Sequence, residues 1–339
     1  MKIPYRTRRF LSRLGKGLLV LLLVVTVAWM CWVVWLERFV VYSDAGARLD
    51  FDRGADFDRG EIAVPPETKA PISIFYNEGN EAVEISQELK QLAGYCITGD
   101  ALTDIAALRE QLATLEGDTP VLLDVKNVRG EFYYSTGLGT VTADTVDTEA
   151  MDALIRDLAQ SGHYLIARLP ALRDREYGLN NVNCGLFNPS RYSLWLDDGG
   201  CYWLDPTVSG TMTYLTGIVQ ELKDLGFDEV VFTDFRFPAS DGYVFDGDKT
   251  AALTEAAQSL VTACSTEAFA VSFVRGSTPF AIPEGRSRIY IQEGDAAQAA
   301  SIAADTGLAD PAIRLVFLTD SYDTRFDEYG TMRPIENAR

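Results

Sequence analysis

The sequence predicts a (β/α)8 TIM-like barrel preceded by one N-terminal transmembrane helix and a short stalk, and three observations carry the prediction. Gly17–Leu36 contains no charge and is almost entirely apolar. From about residue 88, short strand-like apolar runs begin to alternate with amphipathic helical patterns. Eight such runs fit within roughly 250 residues, the length and order of a closed parallel barrel.

Taken in order, residues 1–16 read as a basic cytoplasmic segment. Lys2, Arg6, Arg8, Arg9, Arg13 and Lys16 stand there without an acid, which places this end inside by the positive-inside rule. Residues 17–36 follow as a helix rising ~1.5 Å per residue, enough to span a ~30 Å hydrocarbon core. Trp29, Trp32 and Trp35 fall at its far end, where amphipathic rings favour the headgroup layer. A cleaved signal peptide is the competing reading, but its apolar region runs to about 7–15 residues and ends in a small-x-small site. This one ends in Trp35-Leu-Glu-Arg-Phe39. Residues 37–87 read as an acidic stalk with a small hairpin. Gly46, Gly54, Gly60 and Pro65-Pro66 break it, and Phe51-Asp-Arg-Gly54 recurs as Phe57-Asp-Arg-Gly60. Ile72–Tyr76 and Ala82–Ile85 flank the turn-forming Asn77-Glu-Gly-Asn80.

The barrel occupies residues 88–339. Its candidate strands are Tyr95–Thr98, Val121–Val125, Tyr164–Leu169, Cys201–Leu204, Val230–Thr233, Ala268–Phe273, Arg288–Gln292 and Arg314–Leu318. Candidate helices are Asp104–Leu115, Thr148–Ser161, Thr213–Leu225, Thr250–Thr262 and Ala296–Ala304. Between the sixth and seventh strands Pro279 and Pro283 leave no room for a full helix. A doubly wound open sheet is the alternative, but no early strand is followed by a glycine-rich phosphate loop.

Charge narrows the partners. The chain holds 30 basic and 49 acidic residues, a net of −19. Removing the seven basic side chains and one acid of residues 1–38 leaves 23 against 48, a net of −25 for the exterior part. Such a surface repels phosphate backbones and anionic lipid, so nucleic acid is not an expected partner. Of the cysteines, Cys31 lies in the span. Cys184 and Cys201 flank a loop and could bridge in an oxidising compartment. Cys96 and Cys264 fall in apolar runs and read as buried free thiols.

The only histidine, His163, follows Gly162 at a helix C-terminus, where capping or exposure is its ordinary role. A Ser-His-Asp triad and a His-based zinc site are therefore not expected, no cofactor is expected, and no metal is assigned, an all-oxygen magnesium or calcium site being the alternative left open. What remains is carboxylate chemistry at the C-terminal ends of the strands, where barrel active sites sit. Strand two places Asp124 and Lys126 on one face by its two-residue period. Strand three ends with Arg168, strand four with Trp203 and Asp205, strand five with Asp234 and Arg236, strand seven with Glu293 and strand eight with Asp320. Two carboxylates held at different pKa values serve as acid and nucleophile, or acid and base, in glycoside hydrolysis. Asp124, Asp234 and Glu293 are the catalytic candidates. Lys126, Arg168, Trp203, Asp205 and Arg236 are the candidates for holding substrate. Salt bridges that merely close the barrel end are the structural alternative for each of them.

These motifs resemble a family of bacterial glycoside-hydrolase-like TIM-barrel domains over roughly residues 90–240. Val121-Leu-Leu-Asp-Val-Lys126 followed by Gly130, Tyr164-Leu-Ile-Ala-Arg168 with Asp174, Trp203-Leu-Asp-Pro206, and Glu221 with Leu225-Gly-Phe-Asp-Glu229 and Arg236-Phe-Pro238 are similar to its motifs in the same order. The resemblance implies a secreted or membrane-attached protein that handles carbohydrate. It also shows departures. Thr233 stands at the family's strand-five aspartate, with Asp234 one residue late. Val271-Ser-Phe-Val-Arg-Gly276 and Ile289-Tyr-Ile-Gln-Glu293 lack the family's strand-six acid and strand-seven motif. Two readings follow: a membrane-anchored glycoside hydrolase using a different acid pair, or a barrel that binds glycan or scaffolds the envelope without turnover.

Overall fold

The computed structural model describes residues 89–141, 145–292 and 294–337, together with 40–43, 46–49 and a few positions between 22 and 32. The chain divides into two units, residues 1–80 and 81–339. In the first, Val40–Ser43 pairs antiparallel with Gly46–Leu49. Among the described residues no helix is long and apolar enough to cross a membrane. Most of the expected span at 17–36 lies outside those residues, and the Phe-Asp-Arg-Gly repeat and the hairpin at 72–85 lie wholly outside them.

The second unit is a closed barrel of eight parallel strands. They are β1 (Ala93–Ile97), β2 (Val121–Asp124), β3 (Leu165–Pro170), β4 (Glu229–Thr233), β5 (Ala270–Val274), β6 (Ile289–Gln292), β7 (Leu315–Leu318) and β8 (Gly330–Pro334). The strands follow chain order around the barrel, and β8 closes it by pairing with β1. The helices are α1 (Ile105–Leu112), α2 (Thr148–Ser161), α3 (Arg175–Asn180), α4 (Ser209–Asp224), α5 (Lys249–Cys264), α6 (Ala299–Thr306) and α7 (Pro311–Arg314). Between β5 and β6 there is none.

Seven of the eight strands lie where the apolar runs predict them, and one does not. Cys201–Leu204 is no stave of the barrel. It lies within the long excursion between β3 and α4, tied there by single bridges of Arg173 with Trp203, Gly185 with Leu204 and Leu196 with Tyr202. Its apolar side chains are buried by that excursion, so hydrophobicity alone cannot tell it from a barrel strand. The true eighth strand, Gly-Thr-Met-Arg-Pro, reads as a loop because only Met332 is a large apolar residue. It is a strand because neighbours on both sides take its backbone groups.

Aspartate caps recur at the helix starts. Asp104, Asp147, Asp174 and Asp248 each accept the backbone N–H three residues on, opening α1, α2, α3 and α5. Met151, Leu154, Ile155 and Leu158 then form the buried stripe of α2, and Gly162 ends that helix at φ +86°. His163, next in line, is buried rather than exposed, with Nδ1 3.0 Å from the Thr119 carbonyl.

The barrel lumen is filled in layers. Leu122, Ile166, Val231, Val316 and Met332 form an apolar middle. Below it, at the N-terminal ends of the strands, sits a buried polar plug. Glu229 accepts hydrogen bonds from Ser272 (2.5 Å), Tyr164 (3.0 Å) and Tyr290 (3.0 Å) and pairs with Arg288. Arg288 in turn donates to the Ile313 carbonyl (3.1 Å) and the Lys90 carbonyl (2.8 Å). Burial, followed by the Glu229 charge, pushes the Tyr164 and Tyr290 phenols well up, so both remain donors.

Candidate active site at the barrel mouth

The opposite end of the lumen is the mouth. Asp124 and Arg168 are register partners in β2 and β3. By the two-residue period they face inward, above Leu122 and Ile166. Arg168 grips both carboxylate oxygens, Nε to Oδ1 at 2.6 Å and Nη2 to Oδ2 at 3.0 Å, and the Gly99 amide adds a third bond at 2.9 Å. Burial alone would lower the Arg168 pKa, but its hydrogen bond and charge interaction with Asp124 outweigh this and raise it. The side chains retain 21% and 14% of their surface.

A second array lies along the loops after β3 and β4. β4 stops at Thr233, and Asp234 takes φ +48°. Strict alternation would send Asp234 to the outer face; the left-handed turn breaks that alternation. Such a conformation costs about 1 kcal/mol, and aspartate is among the residues that tolerate it. Arg236 Nη2 reaches Asp234 Oδ1 at 3.2 Å, and its guanidinium lies 4.7 Å over the Trp203 ring. Gly276 makes this possible, since a Cβ there would come within 2.9 Å of the Arg236 Cβ. The Trp203 indole donates to Asp197 (3.0 Å), which also accepts from Arg173 Nε (2.7 Å) and the Cys201 amide (2.8 Å). Burial would raise the Asp197 carboxyl; these hydrogen bonds outweigh it and hold the pKa below the ordinary aspartate value.

Two expected substrate contacts lie elsewhere. Lys126 is fully buried, its ammonium 2.6 Å from Asp174 and beneath the rings of Phe132 and Tyr214. Asp174 also accepts from the Tyr177 amide (2.8 Å) and the Tyr214 hydroxyl (2.9 Å). Gly130, at φ +85°, leaves the space that Asp174 fills. Lys126 therefore joins the loops after β2 and β3 to α4 instead of meeting solvent. Asp205 closes a turn onto the Thr207 amide (2.8 Å) and hydroxyl (2.6 Å) ahead of α4. It stands at no barrel strand end, because Cys201–Leu204 is not a barrel strand. Glu293 lies outside the described residues. Cys184 and Cys201 are both free, buried thiols, as are Cys96 and Cys264.

A cleft of about 550 Å³ opens over the ends of β1, β3, β6, β7 and β8, with Cys96, Arg168, Gln292, Asp295, Asp320 and Asp323 in its lining. Asp295 caps the turn at Ala297. Asp323 is gripped at two points by Arg325, which holds its pKa down at about 2. Asp320 stands two residues beyond the inward-facing Leu318, close enough to Cys96 for its charge to act on that thiol. Burial pushes Cys96 up, which keeps it protonated at neutral pH and a poor nucleophile. Sequence reasoning marks Asp320 as a strand-end residue but does not place it among the catalytic candidates. Continuing the period from Val316 through Leu318 picks it out. Asp197 lies in a loop, where no period points to it.

An eight-stranded parallel barrel with paired carboxylates and arginines at its C-terminal mouth is the architecture of a barrel enzyme or of a binding protein built like one. A family model described as "Putative glycosyl hydrolase domain" matches residues 96–273, and the chain belongs to that family. Among solved structures, the trehalose-6-phosphate hydrolase TreA of Bacillus licheniformis aligns at 11% identity over 73% of this chain and 64% of its own, with a TM-score of 0.51. An alpha-galactosidase of Geobacillus stearothermophilus in complex with stachyose aligns at 12% identity over 74% and 41%, with a TM-score of 0.48. A hypothetical protein of Ruminiclostridium thermocellum covers 53% of this chain and 96% of its own at 20% identity, with a TM-score of 0.45. The likeness to TreA bears on fold alone. No curated protein matches.

Proposed function

We propose that the barrel is the glycan-acting part of a membrane-anchored, extracytoplasmic glycoside hydrolase-like protein whose substrate is a polysaccharide or cell-wall glycan. The observation that supports this most is the Asp124–Arg168 pair, whose arginine lines an open cleft together with Asp320. A carboxylate gripped by a guanidinium and an amide offers only acceptor oxygens, which suits the anionic partner at an oxocarbenium-like centre. Asp320, in the lining of the same cleft as Arg168, is then the proton donor to the leaving oxygen, and Glu293, the next residue in sequence after β6, stays the further acid candidate. Arg236, stacked on Trp203, positions Asp234 at the rim. The uncharged run at 17–36 and the basic residues before it support the anchor and the exterior location of the barrel.

Release of reducing ends from purified peptidoglycan and from neutral polysaccharides tests the reading. Asp124→Asn and Asp320→Asn should each lower release by at least about 100-fold, the scale of a lost acid or base. Release at the unmodified rate by both variants would sink it.

A second reading is favoured by a specific observation: Asp124 and Asp234 are both tied to arginines. In that reading the mouth binds glycan without turnover. Binding that survives Asp124→Asn, Asp234→Asn and Glu293→Gln, with no hydrolysis by the unmodified protein, would select it.

A further inference from the structure

The excursion between β3 and α4 carries a second concavity that the mouth does not use. It measures about 680 Å³. Leu179, Val182, Phe187, Tyr192 and Leu196 line it, each exposed, with Tyr192 at 88%. Its shape is built. Asn188 Oδ1 accepts the Ser190 and Arg191 amides, folding the turn between Phe187–Asn188 and Ser193–Leu194. Trp195 packs beneath against Tyr243, with ring centroids 5.4 Å apart. Tyr192 is one of two non-glycine residues among those described with positive φ, at +49°. A bulky side chain in that region is unusual and costs of order 1 kcal/mol or more. The strain here holds an aromatic ring out in solvent, where it contributes little to packing.

Three properties decide what such a surface takes. Its volume falls within the ~300–1,000 Å³ of ligand pockets. Its only charged lining residue is Arg191, in a chain of net charge −19. That net charge repels anionic lipid and a second copy of the chain, but not an uncharged polymer. The exposed rings of Phe187 and Tyr192 offer apolar faces to sugar C–H groups, and Asn188, Arg191 and Ser193 offer polar groups to hydroxyls. The groove belongs to a loop that leaves the C-terminal end of a barrel strand, as the mouth does.

We propose that this groove is a binding site for an uncharged stretch of a carbohydrate chain, separate from the mouth. The proposal rests on the reading of the barrel as glycan-acting and adds a hold on the polymer away from the point of attack.

The test uses the full chain and measures binding of chitohexaose, cellohexaose, maltohexaose and xylohexaose by calorimetry. The variants are Tyr192→Ala, Tyr192→Trp, Phe187→Ala and, at the mouth, Arg168→Ala. At least one hexasaccharide should bind. Tyr192→Ala and Phe187→Ala should each weaken it about tenfold or more, Tyr192→Trp should restore it, and Arg168→Ala should leave groove binding within about threefold. Binding that ignores both ring variants and is lost in Arg168→Ala overturns the groove while leaving the mouth's role standing. Binding that depends on the rings, with no hydrolysis by any variant, supports the groove and removes turnover from the mouth. If no hexasaccharide binds, the proposal fails. A dimer seen by sedimentation that Tyr192→Ala dissociates would then identify a second copy of the chain as the occupant.

Discussion

Glu229 and Arg288 at the base of the barrel keep at most 1% of their side-chain surface, whereas Asp124 and Arg168 at the mouth keep 21% and 14%. Both are carboxylate–guanidinium pairs inside one lumen, separated by a single apolar layer. At the base, three hydroxyls and two carbonyls supply the remaining bonds, so the charges are sealed from water. At the mouth, one backbone amide is the other partner in view, and Arg168 of the pair lines a cleft. The difference teaches that the same residue types build the scaffold where water is excluded and remain available to a ligand where it is not.

Breaking the base should have the largest effect. Glu229→Gln or Arg288→Met leaves one charge buried and uncompensated, which costs about 3–5 kcal/mol. Urea unfolding should show it, and replacing both residues with Leu and Met should cost less than the two single changes together. Lys126→Met strands Asp174 in the same way and should cost about 3 kcal/mol, with no direct effect on ligand affinity. Asp124→Asn, in contrast, should cost less stability than the changes at the base, because the pair keeps part of its surface, while removing most turnover.

The smallest effect is one of pH. The Asp197 carboxyl lies below its unfolded value. Its contribution to stability is therefore fully present above the unfolded pKa of about 3.9 and is lost as pH falls through the lower folded pKa. A denaturation series from pH 7 down to pH 2 should show an acid-side loss that Asp197→Asn reduces.

Much of this was legible in the sequence, and the misses have physical causes. Asp124, Arg168 and Asp174 stand out as motif residues, but their partners do not. The Asp-Val-Lys and Ala-Arg motifs are two interlocked ion pairs, Asp124 with Arg168 and Lys126 with Asp174, of opposite exposure. The two-residue period assigns Asp124 and Lys126 to one face and cannot foresee that the chain leaves the strand after Asp124, carrying Lys126 into the interior. The most specific motif, Leu225-Gly-Phe-Asp-Glu229, ends in the buried plug: its glutamate is scaffold, and its neighbour Asp228 accepts the Leu165 amide. Thr233 was legible as a missing acid. The left-handed turn that redirects Asp234 was not, because nothing in the side chain of an aspartate announces positive φ.

The most direct test of the division between base and mouth is the rate of reducing-end release from cell-wall glycan by Asp124→Asn, measured on protein whose unfolding midpoint has been matched to that of the unmodified chain. The account predicts a loss of at least about 100-fold with the fold intact. Release at the unmodified rate by this variant would contradict it.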